Sequence, residues 1–413
     1  MDIKWRDHVI IMYDKGKDST ITEALKKHLE DEFFTCDVVP IESAEYYGNL
    51  RHKTKKGTFN FFCKHARGLL RRLSRRRDIF SYKRIQTLMH TNGYANISEM
   101  NKKNPEMKRF VNIINRFDPV MVICTNPDSL RLMIIAREMV GKTFKIVGAI
   151  SDFALDLSFV RSEADGYFVE NLTVKNELER NGITESRIAV VGFPTLGFNF
   201  TGNRTEKRAE FGLTGDLPLV VVFGGVYETR SFKEDVIHLM KNCNDYSLMI
   251  ITSDNTVRRY YMDLPEFNKN IMLADSLTSA LLDITDVLVT VPDTRSIFEA
   301  FIRGIPVVVE PAVTMLEKKI RRYLLSRHLI IPARTPDETL YAVREILHEP
   351  DRALEFKYRG LEYAKSSIRD MGNMTPKISN DGILKIAHSG DGEEFISDEE
   401  STENPSVNEN DDE

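Results

Sequence analysis

Cysteine is scarce in this 413-residue chain, and its distribution excludes two classes of protein. The four cysteines, Cys36, Cys63, Cys124 and Cys243, are widely spaced and form no C-x-x-C pair. This pattern rules out a disulfide scaffold and a cysteine-based zinc site, and it fits a reducing compartment. No cluster of His, Asp or Glu has the spacing of metal ligands either, so the sequence predicts no metal site.

Long apolar stretches and a cationic N-terminus are also missing. No run of about 18 apolar residues occurs, so the sequence predicts no membrane-spanning helix. Residues 1–7 carry two acids and two bases, unlike the positively charged start of a signal peptide. We therefore expect a cytoplasmic protein.

The composition is that of a globular protein with more than one domain. Hydrophobic residues make up 42% of the chain and charged residues 29%. A chain of 413 residues exceeds the usual size of a single core, which predicts two domains. The net charge of −5 taken alone argues against a nucleic-acid-binding protein, but the charge is segregated along the chain.

Apolar runs of strand length alternate with segments of helical periodicity in two blocks. Such alternation is typical of an α/β fold with parallel sheets, whose strands are buried on both faces. The predicted strands of the first block include 9–13, 119–124, 144–150, 166–169 and 188–191. Those of the second block are 219–223, 248–252, 271–273, 287–291 and 307–310.

These blocks predict the domain organisation. The first domain covers 1–196 and carries a basic insertion at 51–90, the second covers 197–370, and a tail covers 371–413. Between residues 391 and 413 there are eleven Asp or Glu and no Lys or Arg. A segment so acidic and so poor in apolar residues is expected to be disordered.

The insertion is the most basic part of the chain. Thirteen Lys or Arg and a single acid lie between residues 51 and 84, interleaved with apolar residues that form a stripe on a helix. Basic amphipathic surfaces bind anionic lipid, so a membrane surface is one predicted partner. The alternatives are a solvated excursion, contact with the acidic tail, and nucleic acid, for which the sequence has no recognisable module. The predicted membrane-binding residues are Phe62, Arg67, Leu69, Leu70, Arg71, Arg72, Leu73, Arg75, Arg76 and Arg77.

Two strand ends in the second block carry candidate ligand-binding residues. The strand at 219–223 ends in Gly224 and Gly225, which would let backbone N–H groups approach a phosphate. The strand at 287–291 leads into a predicted helix with Ser296 and Glu299 in its first turn. A carboxylate there can accept two hydrogen bonds from a ribose diol. Each feature also has a structural alternative. The glycines can form a packing turn, and the Glu299 charge can complement the helix dipole.

Together these segments resemble glycosyltransferase family 28, which contains monogalactosyldiacylglycerol synthases and processive diacylglycerol glucosyltransferases. The resemblance covers roughly 8–50 and 107–365. Residues 165–169, 174–178 and 187–194 are similar to the family's D-x-Y-x-V, V-K-x-x-L and K-I-x-V-x-G-x-P motifs. Gly224 and Gly225 fall at its G-G-x-G loop, Asn255 at its G-x-N, and 286–300 on its A-D-x-x-x-T-K-P-G-G-x-T-x-x-E-A.

The resemblance implies a GT-B fold, in which two Rossmann-like domains face each other across a cleft that holds a nucleotide sugar. It also implies that a helix near 354–368 returns to the first domain. It further implies a UDP-sugar as donor substrate, a lipid acceptor and no cofactor. The donor-binding residues expected from it are Gly224, Gly225, Asn255, Arg295, Ser296, Glu299 and Glu317.

The chain departs from the family at four motifs. Asp18 stands where the family's first loop has His, and the T-D-x-x-x-H-x-x-W motif begins here with Ser151 and Asp152. Both glycines of P-G-G-x-T are replaced, and only Glu317 survives from G-Q-E-x-x-N. A sugar transfer needs a base for the acceptor hydroxyl and positive charge against the leaving diphosphate. Asp18 or Asp152 is the candidate catalytic base, each with a capping role as its structural alternative, and Arg295 is the candidate countercharge.

The sequence therefore predicts a peripheral-membrane glycosyltransferase that moves a hexose from a UDP-sugar to a lipid such as diacylglycerol. Its expected location is the cytoplasmic, inner face of the cell membrane. The alternative is a non-catalytic relative that binds membrane or a partner protein, which the altered motifs favour. An epimerase on the same fold is a third interpretation. A cleft that is open and polar near Glu299, rather than filled by Met315, Leu316 and Ile320, would favour the enzyme.

Overall fold

The computed structural model describes residues 7–14, 19–32, 36–46, 105–195, 203–213, 215–225, 230–371, 376–378 and 384–386. Two six-stranded sheets organise these residues, and every strand pairing within them is parallel. The α/β architecture predicted from the alternating pattern is confirmed.

The first sheet has the strand order β2-β1-β3-β4-β5-β6. Its strands are β1 (Asp7–Tyr13), β2 (Cys36–Glu42), β3 (Met121–Cys124), β4 (Lys145–Ile150), β5 (Gly166–Val169) and β6 (Ile188–Val190). The helices that cover it are α1 (Ser19–Glu32), α2 (Pro105–Phe117), α3 (Pro127–Val140) and α4 (Leu172–Arg180). The order reverses between β2 and β3, so β1 has its sequence neighbour on one side and a later strand on the other.

The second sheet repeats this plan in the order β12-β11-β10-β7-β8-β9. Its strands are β7 (Leu219–Phe223), β8 (Ser247–Ile251), β9 (Ile271–Ala274), β10 (Val287–Thr290), β11 (Val307–Val309) and β12 (Ile331–Pro332). The helices of this half are α5 (Arg204–Glu210), α6 (Arg230–Lys241), α7 (Asn255–Met262), α8 (Ser279–Leu282), α9 (Thr294–Ile302), α10 (Met315–Ser326), α11 (Pro336–His348) and α12 (Pro350–Met371).

Local sequence explains where most of these helices begin. Asn126, Asn171 and Asp293 each precede a helix and accept a hydrogen bond from a backbone N–H of its first turn. Such caps satisfy one of the donors that a helix start leaves unpaired, and therefore fix its first residue. At the other end of α3, Gly141 takes a left-handed conformation that ends the helix.

An aromatic cluster joins the two halves. Phe153, which follows β4, stacks on Tyr323 of α10 at 5.8 Å between ring centroids, and Phe193 stacks on Phe298 of α9 at 4.2 Å. A single hydrophobic cluster accordingly contains buried side chains from both sheets. We call Phe153, Phe193, Phe298, Phe301, Tyr323 and Tyr363 the junction cluster.

The last helix returns to the first domain as the family resemblance implies. The hydroxyl of Ser367 on α12 accepts a hydrogen bond from the backbone N–H of Phe193 at 2.7 Å. The hydroxyl of Tyr363 donates to the buried carboxylate of Glu170 at 2.6 Å. Helix α12 thus follows the second sheet in sequence and is anchored to the first.

Two predicted segments lie largely outside the described residues, namely the basic insertion at 51–90 and the acidic tail. Within the tail the structure describes Met371, the last residue of α12, and the antiparallel pair β13 (Pro376–Ile378) and β14 (Leu384–Ile386). Among the described residues, no helix has the length and hydropathy needed to cross a lipid bilayer.

Candidate functional site

The second sheet has its candidate site where the strand order reverses. Strand β7 lies between β10 and β8. After β7 the chain continues towards β8, and after β10 it continues towards β11, in the opposite direction along the sheet. Ligands of open α/β sheets bind in the crevice formed at such a point. Gly224 and Gly225 follow β7 here, as the sequence predicted for strand ends. Gly225 has φ of +66°, and a Cβ on it would lie 2.9 Å from Cγ2 of Val291.

The N-terminus of α9 forms the other wall of this crevice. Asp293 caps the helix by accepting a hydrogen bond from the N–H of Ser296 at 3.0 Å. The Ser296 hydroxyl is buried and donates to the carbonyl of Asp293 at 3.2 Å. The Asp293 carboxylate places negative charge at the helix end that would otherwise attract an anion.

Thr294 is the polar residue at this helix end whose bonding is incomplete. Its side chain is 4% exposed, and its Oγ1 has no hydrogen-bond partner among the described residues. A buried hydroxyl left unpaired costs about 1–3 kcal/mol. Sequence reasoning missed this residue, because Thr294 occupies a position where the resembling family has glycine.

Arg295 connects the two halves across the cleft. Its Nη2 donates to Oγ1 of Thr20, in the first turn of α1, at 2.7 Å. The start of α9 and the start of α1 therefore face each other, with a guanidinium between them. This is the position expected for a countercharge to a ligand held between the two domains.

Glu299 lies one turn further along α9 and is ion-paired. Its Oε2 accepts from Nη1 of Arg303 at 2.6 Å, and Arg303 also donates from Nε to Asp283 at 2.8 Å. Lys207 of α5 pairs with the same Asp283. The network fixes the Glu299 carboxylate. A carboxylate has about four acceptor positions, and Arg303 is the one partner of Glu299 among the described residues, so the pair leaves acceptor capacity.

Glu317 is used locally to begin α10. Its Oε2 accepts from the backbone N–H of Val313 at 2.6 Å and of Thr314 at 3.0 Å, while the Thr314 hydroxyl accepts from the N–H of Glu317 at 3.1 Å. This reciprocal arrangement is a capping box. The predicted donor contact of Glu317 stays a prediction, and the structure gives its side chain a capping role.

Helix α10 also packs against the first domain. Ile320 is buried in the cluster shared by both sheets, with Leu316 packed against it. Lys319 bridges to Glu177 of α4 at 2.7 Å. Ile320 and Leu316 thus belong to the hydrophobic contact between the two halves, and the polar residues described above lie on α9 and α1.

The remaining predicted residues are dispersed. Asn255 is exposed at the first position of α7, beyond the end of β8. Asp152 is half-buried after β4, next to Phe153 of the junction cluster. Asp18 and the ten predicted membrane-binding residues lie outside the described residues. The structure thus gives the positions of Asn255 and Asp152, and the functional role of each stays a prediction.

A second group of polar side chains collects at the order reversal of the first sheet. The Ser43 hydroxyl, which follows β2, lies 2.6 Å from the carbonyl oxygen of Tyr13 and 2.9 Å from Oδ1 of Asp14. Asn126, which follows β3, donates from Nδ2 to the Ser43 hydroxyl at 3.1 Å. Sequence reasoning missed these residues, although Asp14 directly follows a predicted strand.

The junction cluster contains a chain of hydrogen bonds at its polar end. Tyr363 donates to Glu170, and the hydroxyls of Tyr363 and Tyr323 lie 2.8 Å apart. Burial raises the pKa of Tyr363 well above its ordinary value, and the neighbouring Glu170 charge adds to the shift. Burial likewise raises the pKa of Tyr323. Both phenols therefore stay protonated and able to donate over the ordinary pH range.

Comparison with known proteins agrees with the fold. Residues 18–195 match the sequence profile of the monogalactosyldiacylglycerol (MGDG) synthase family. A processive diacylglycerol beta-glucosyltransferase of Bacillus pumilus is 21% identical over 258 residues, which are 60% of this chain and 66% of that protein. The match thus spans slightly less than two thirds of the relative's length.

Solved structures resemble the whole described fold. A putative UDP-N-acetylglucosamine 2-epimerase from Listeria monocytogenes has a TM-score of 0.59 at 12% identity, covering 89% of this chain and 95% of that one. The Anabaena protein HepE, solved with UDP-glucose, has a TM-score of 0.55 at 10% identity, covering 88% and 97%. The predicted GT-B fold is confirmed, and the chain resembles glycosyltransferase family 28 through a match to its MGDG synthase profile over residues 18–195.

Proposed function

We propose that this protein is a glycosyltransferase that transfers a hexose from a UDP-sugar to a lipid acceptor such as diacylglycerol. The observation that carries the proposal is the crevice between β7, α9 and α1. There the Arg295 guanidinium, in the first turn of α9, donates to Thr20 of α1 beside the order reversal of the second sheet. A diphosphate bound there can accept hydrogen bonds from the Arg295 guanidinium in exchange for the one that Arg295 donates to Thr20.

The choice of a UDP-sugar as the donor substrate rests on the charge of the candidate site and on the names of relatives. Departure of a nucleoside diphosphate develops negative charge, which a guanidinium and helix N–H groups stabilise. Arg295 compensates for the carboxylate of Asp293, which stands where the family has glycine. The HepE structure contains UDP-glucose, and the Bacillus pumilus relative is named a glucosyltransferase. Glucose is therefore the first hexose to test.

The acceptor and the location rest on the sequence and on the names of relatives. The matched relatives are diacylglycerol glucosyltransferases by name. The basic insertion with its apolar stripe fits an anionic lipid surface. We therefore propose peripheral attachment to the inner face of the cell membrane, with the acceptor reached from that surface.

One observation favours the alternative, a non-catalytic GT-B-like protein. Glu317 caps α10 and Ile320 is buried in the hydrophobic cluster shared by the two halves, in the segment that aligns with the family's donor-sugar motif. A protein of this kind would keep the fold and the membrane surface without sugar transfer.

Calorimetric titration with UDP separates the two functions. We expect micromolar binding to the wild-type protein, and a loss of about tenfold or more in Arg295→Gln, because this change removes a cationic donor to the diphosphate. Arg359→Gln, at a half-buried arginine on α12 that pairs with Glu355, is the matched control and should bind as wild type. No binding at millimolar UDP would refute the transferase. Turnover of UDP-glucose with diacylglycerol in anionic vesicles is the next assay.

A further inference from the structure

Asp14, Ser43 and Asn126 lie at the order reversal of the first sheet, where hydrogen bonds hold the Asp14 carboxylate in place. Ser43 is fully buried and Asn126 is 8% exposed, whereas Asp14 is half-buried. Oδ1 of Asn126 accepts the N–H of Ser129 at 2.8 Å, which leaves its Nδ2 to donate to Ser43. An ionised carboxylate and a carbonyl oxygen both only accept hydrogen bonds, so the single Ser43 proton is shared between Asp14, at 2.9 Å, and the carbonyl of Tyr13, at 2.6 Å.

This arrangement fixes one carboxylate at the edge of the first domain. Asp14, Ser43 and Asn126 follow β1, β2 and β3, three adjacent strands whose carboxyl ends meet there. Ser43 and Asn126 are held by the backbone of β1 and by the start of α3. Their burial means that neither reaches a ligand easily, and the exposed part of the group is Asp14.

The same edge faces the donor crevice. The bond from Arg295 to Thr20 places the start of α1 against the start of α9. Asp14 begins the connection that leads from β1 into α1. The carboxylate is therefore on the first-domain side of the cleft, across from the proposed diphosphate site.

We propose that Asp14 is the catalytic base of the transfer, with Ser43 and Asn126 as positioning residues. This inference rests on the proposed function. The acceptor hydroxyl oxygen forms a bond to the anomeric carbon, and the bond from that carbon to the diphosphate oxygen breaks. The diphosphate leaves with the bonding electron pair, and the hydroxyl proton passes to the Asp14 carboxylate. Charge and atoms balance without a further reactant.

The position of Asp152 makes it the weaker candidate. It follows β4, two strands from β1 and away from the order reversal between β2 and β3. Its neighbour Phe153 stacks on Tyr323 of α10 in the junction cluster. Asp14 instead contacts the polar side chain of Ser43.

The test compares Asp14→Asn with Asp152→Asn and with Asp37→Asn, a control on β2 whose carboxylate is exposed and paired with His8. Each purified full-length protein is assayed with UDP-glucose and phosphatidylglycerol vesicles containing diacylglycerol, and titrated with UDP. We expect Asp14→Asn to lower kcat about 100-fold or more while the Kd for UDP stays unchanged, as removal of a general base does. Asp37→Asn should match wild type.

Ser43 is tested by a readout that a structural role would not give. Ser43→Ala should lower kcat by about tenfold with little change in KM for the donor, and Ser43→Thr, which keeps the hydroxyl, should recover most of the rate. Thermal unfolding confirms that each variant is folded. Near wild-type turnover in Asp14→Asn, or loss of turnover confined to Asp152→Asn, would overturn the role of Asp14 and leave the transferase standing. Absence of turnover in the wild-type protein would overturn both.

Discussion

At the scale of single residues, Asp293 serves two requirements that conflict. Its carboxylate caps α9, which stabilises the helix, and it places a negative charge beside the proposed diphosphate site. The resembling family has glycine here, which caps less well and carries no charge. The chain therefore has a better-capped helix and a less favourable electrostatic field for an anion.

Replacing Asp293 by Gly should strengthen UDP binding. Loss of the charge favours the diphosphate by about 0.3–1 kcal/mol or more, a two- to fivefold lower Kd, while a glycine cap costs only a few tenths of a kcal/mol in stability. Titration calorimetry and thermal unfolding measure the two effects. Asn203→Gly removes the cap of α5 and should leave the Kd for UDP unchanged. Weaker UDP binding in Asp293→Gly would argue that the carboxylate organises the site.

Glu299 permits a second test at this scale. Glu299→Gln keeps a hydrogen-bond acceptor for Arg303, whereas Glu299→Ala leaves a guanidinium that is 9% exposed with fewer partners. We expect Glu299→Ala to lower the free energy of unfolding by about 1–3 kcal/mol and Glu299→Gln by less. If the carboxylate also binds ribose, both variants should weaken UDP binding. Denaturant unfolding and calorimetry separate stability from binding, and equal UDP affinity in all three proteins would restrict Glu299 to the ion-pair network.

These residues show how far sequence reasoning reaches. The helix that follows the strand at 287–291 was predictable, and Ser296 lies in its first turn. The helix begins at Thr294, however, so the predicted first-turn position of Glu299 is wrong and Glu299 lies in the second turn. Their partners were not predictable, because Asp283 and Arg303 are brought together by the fold. The contact between Ser43 and Asn126 joins residues 83 apart in sequence, and no local pattern specifies such a pair.

At the scale of elements, helix α12 approaches the chain that follows β6 so closely that no side chain fits between them. Gly192 has φ of +68°, and a Cβ on it would lie 1.8 Å from the carbonyl oxygen of Ser367. A glycine is therefore required here both for its backbone conformation and for the space that α12 occupies.

Gly192→Ala should accordingly be strongly destabilising. Gly141→Ala is the matched control, because Gly141 has φ of +67° with no atom within 4 Å of the added Cβ. The control should cost about 1–2 kcal/mol, the penalty for a left-handed alanine, and Gly192→Ala distinctly more, since α12 must shift. Urea unfolding measures both. Equal losses would show that α12 accommodates the methyl group at no cost.

Most elements were predictable because their signals are local. Strands 166–169 and 219–223 have the bounds expected from their apolar runs, and α12 covers the predicted helix at 354–368. The two-residue β12 was missed, since two residues carry no periodicity. The return of α12 to the first domain followed from the family resemblance, and its anchors, Ser367 and Tyr363, became visible only in the fold.

At the scale of the whole molecule, the junction cluster couples stability to alkaline pH. Tyrosine has an ordinary pKa of about 10, and the folded protein raises the pKa of Tyr363 well above that value. Above pH 10 the unfolded chain loses the phenolic proton while the folded protein retains it. The stabilising contribution is therefore complete below pH 10 and declines as the pH rises towards the folded-state pKa.

Tyr363→Phe tests this coupling. The free energy of unfolding of the wild-type protein should fall between pH 9 and pH 11, and the fall should be smaller in Tyr363→Phe, which has no proton to lose there. Urea titrations at the two pH values provide the comparison. Tyr358→Phe, at a tyrosine that is 67% exposed on the same helix, should retain the wild-type dependence. An unchanged slope in Tyr363→Phe would place the alkaline sensitivity elsewhere.

The anchoring of α12 has a further consequence for movement. The chain crosses between the two halves twice, once between β6 and α5 and once within α12, between Phe356, which packs on the second sheet, and Tyr363, which contacts the first half. A body attached to another at two separated points has one easy rotation, about the line through both. Opening of the cleft is thus expected to be a rotation about that line. It would move α9 and Arg295 away from Thr20 and Asp14 and leave the junction cluster, which lies near the line, almost in place.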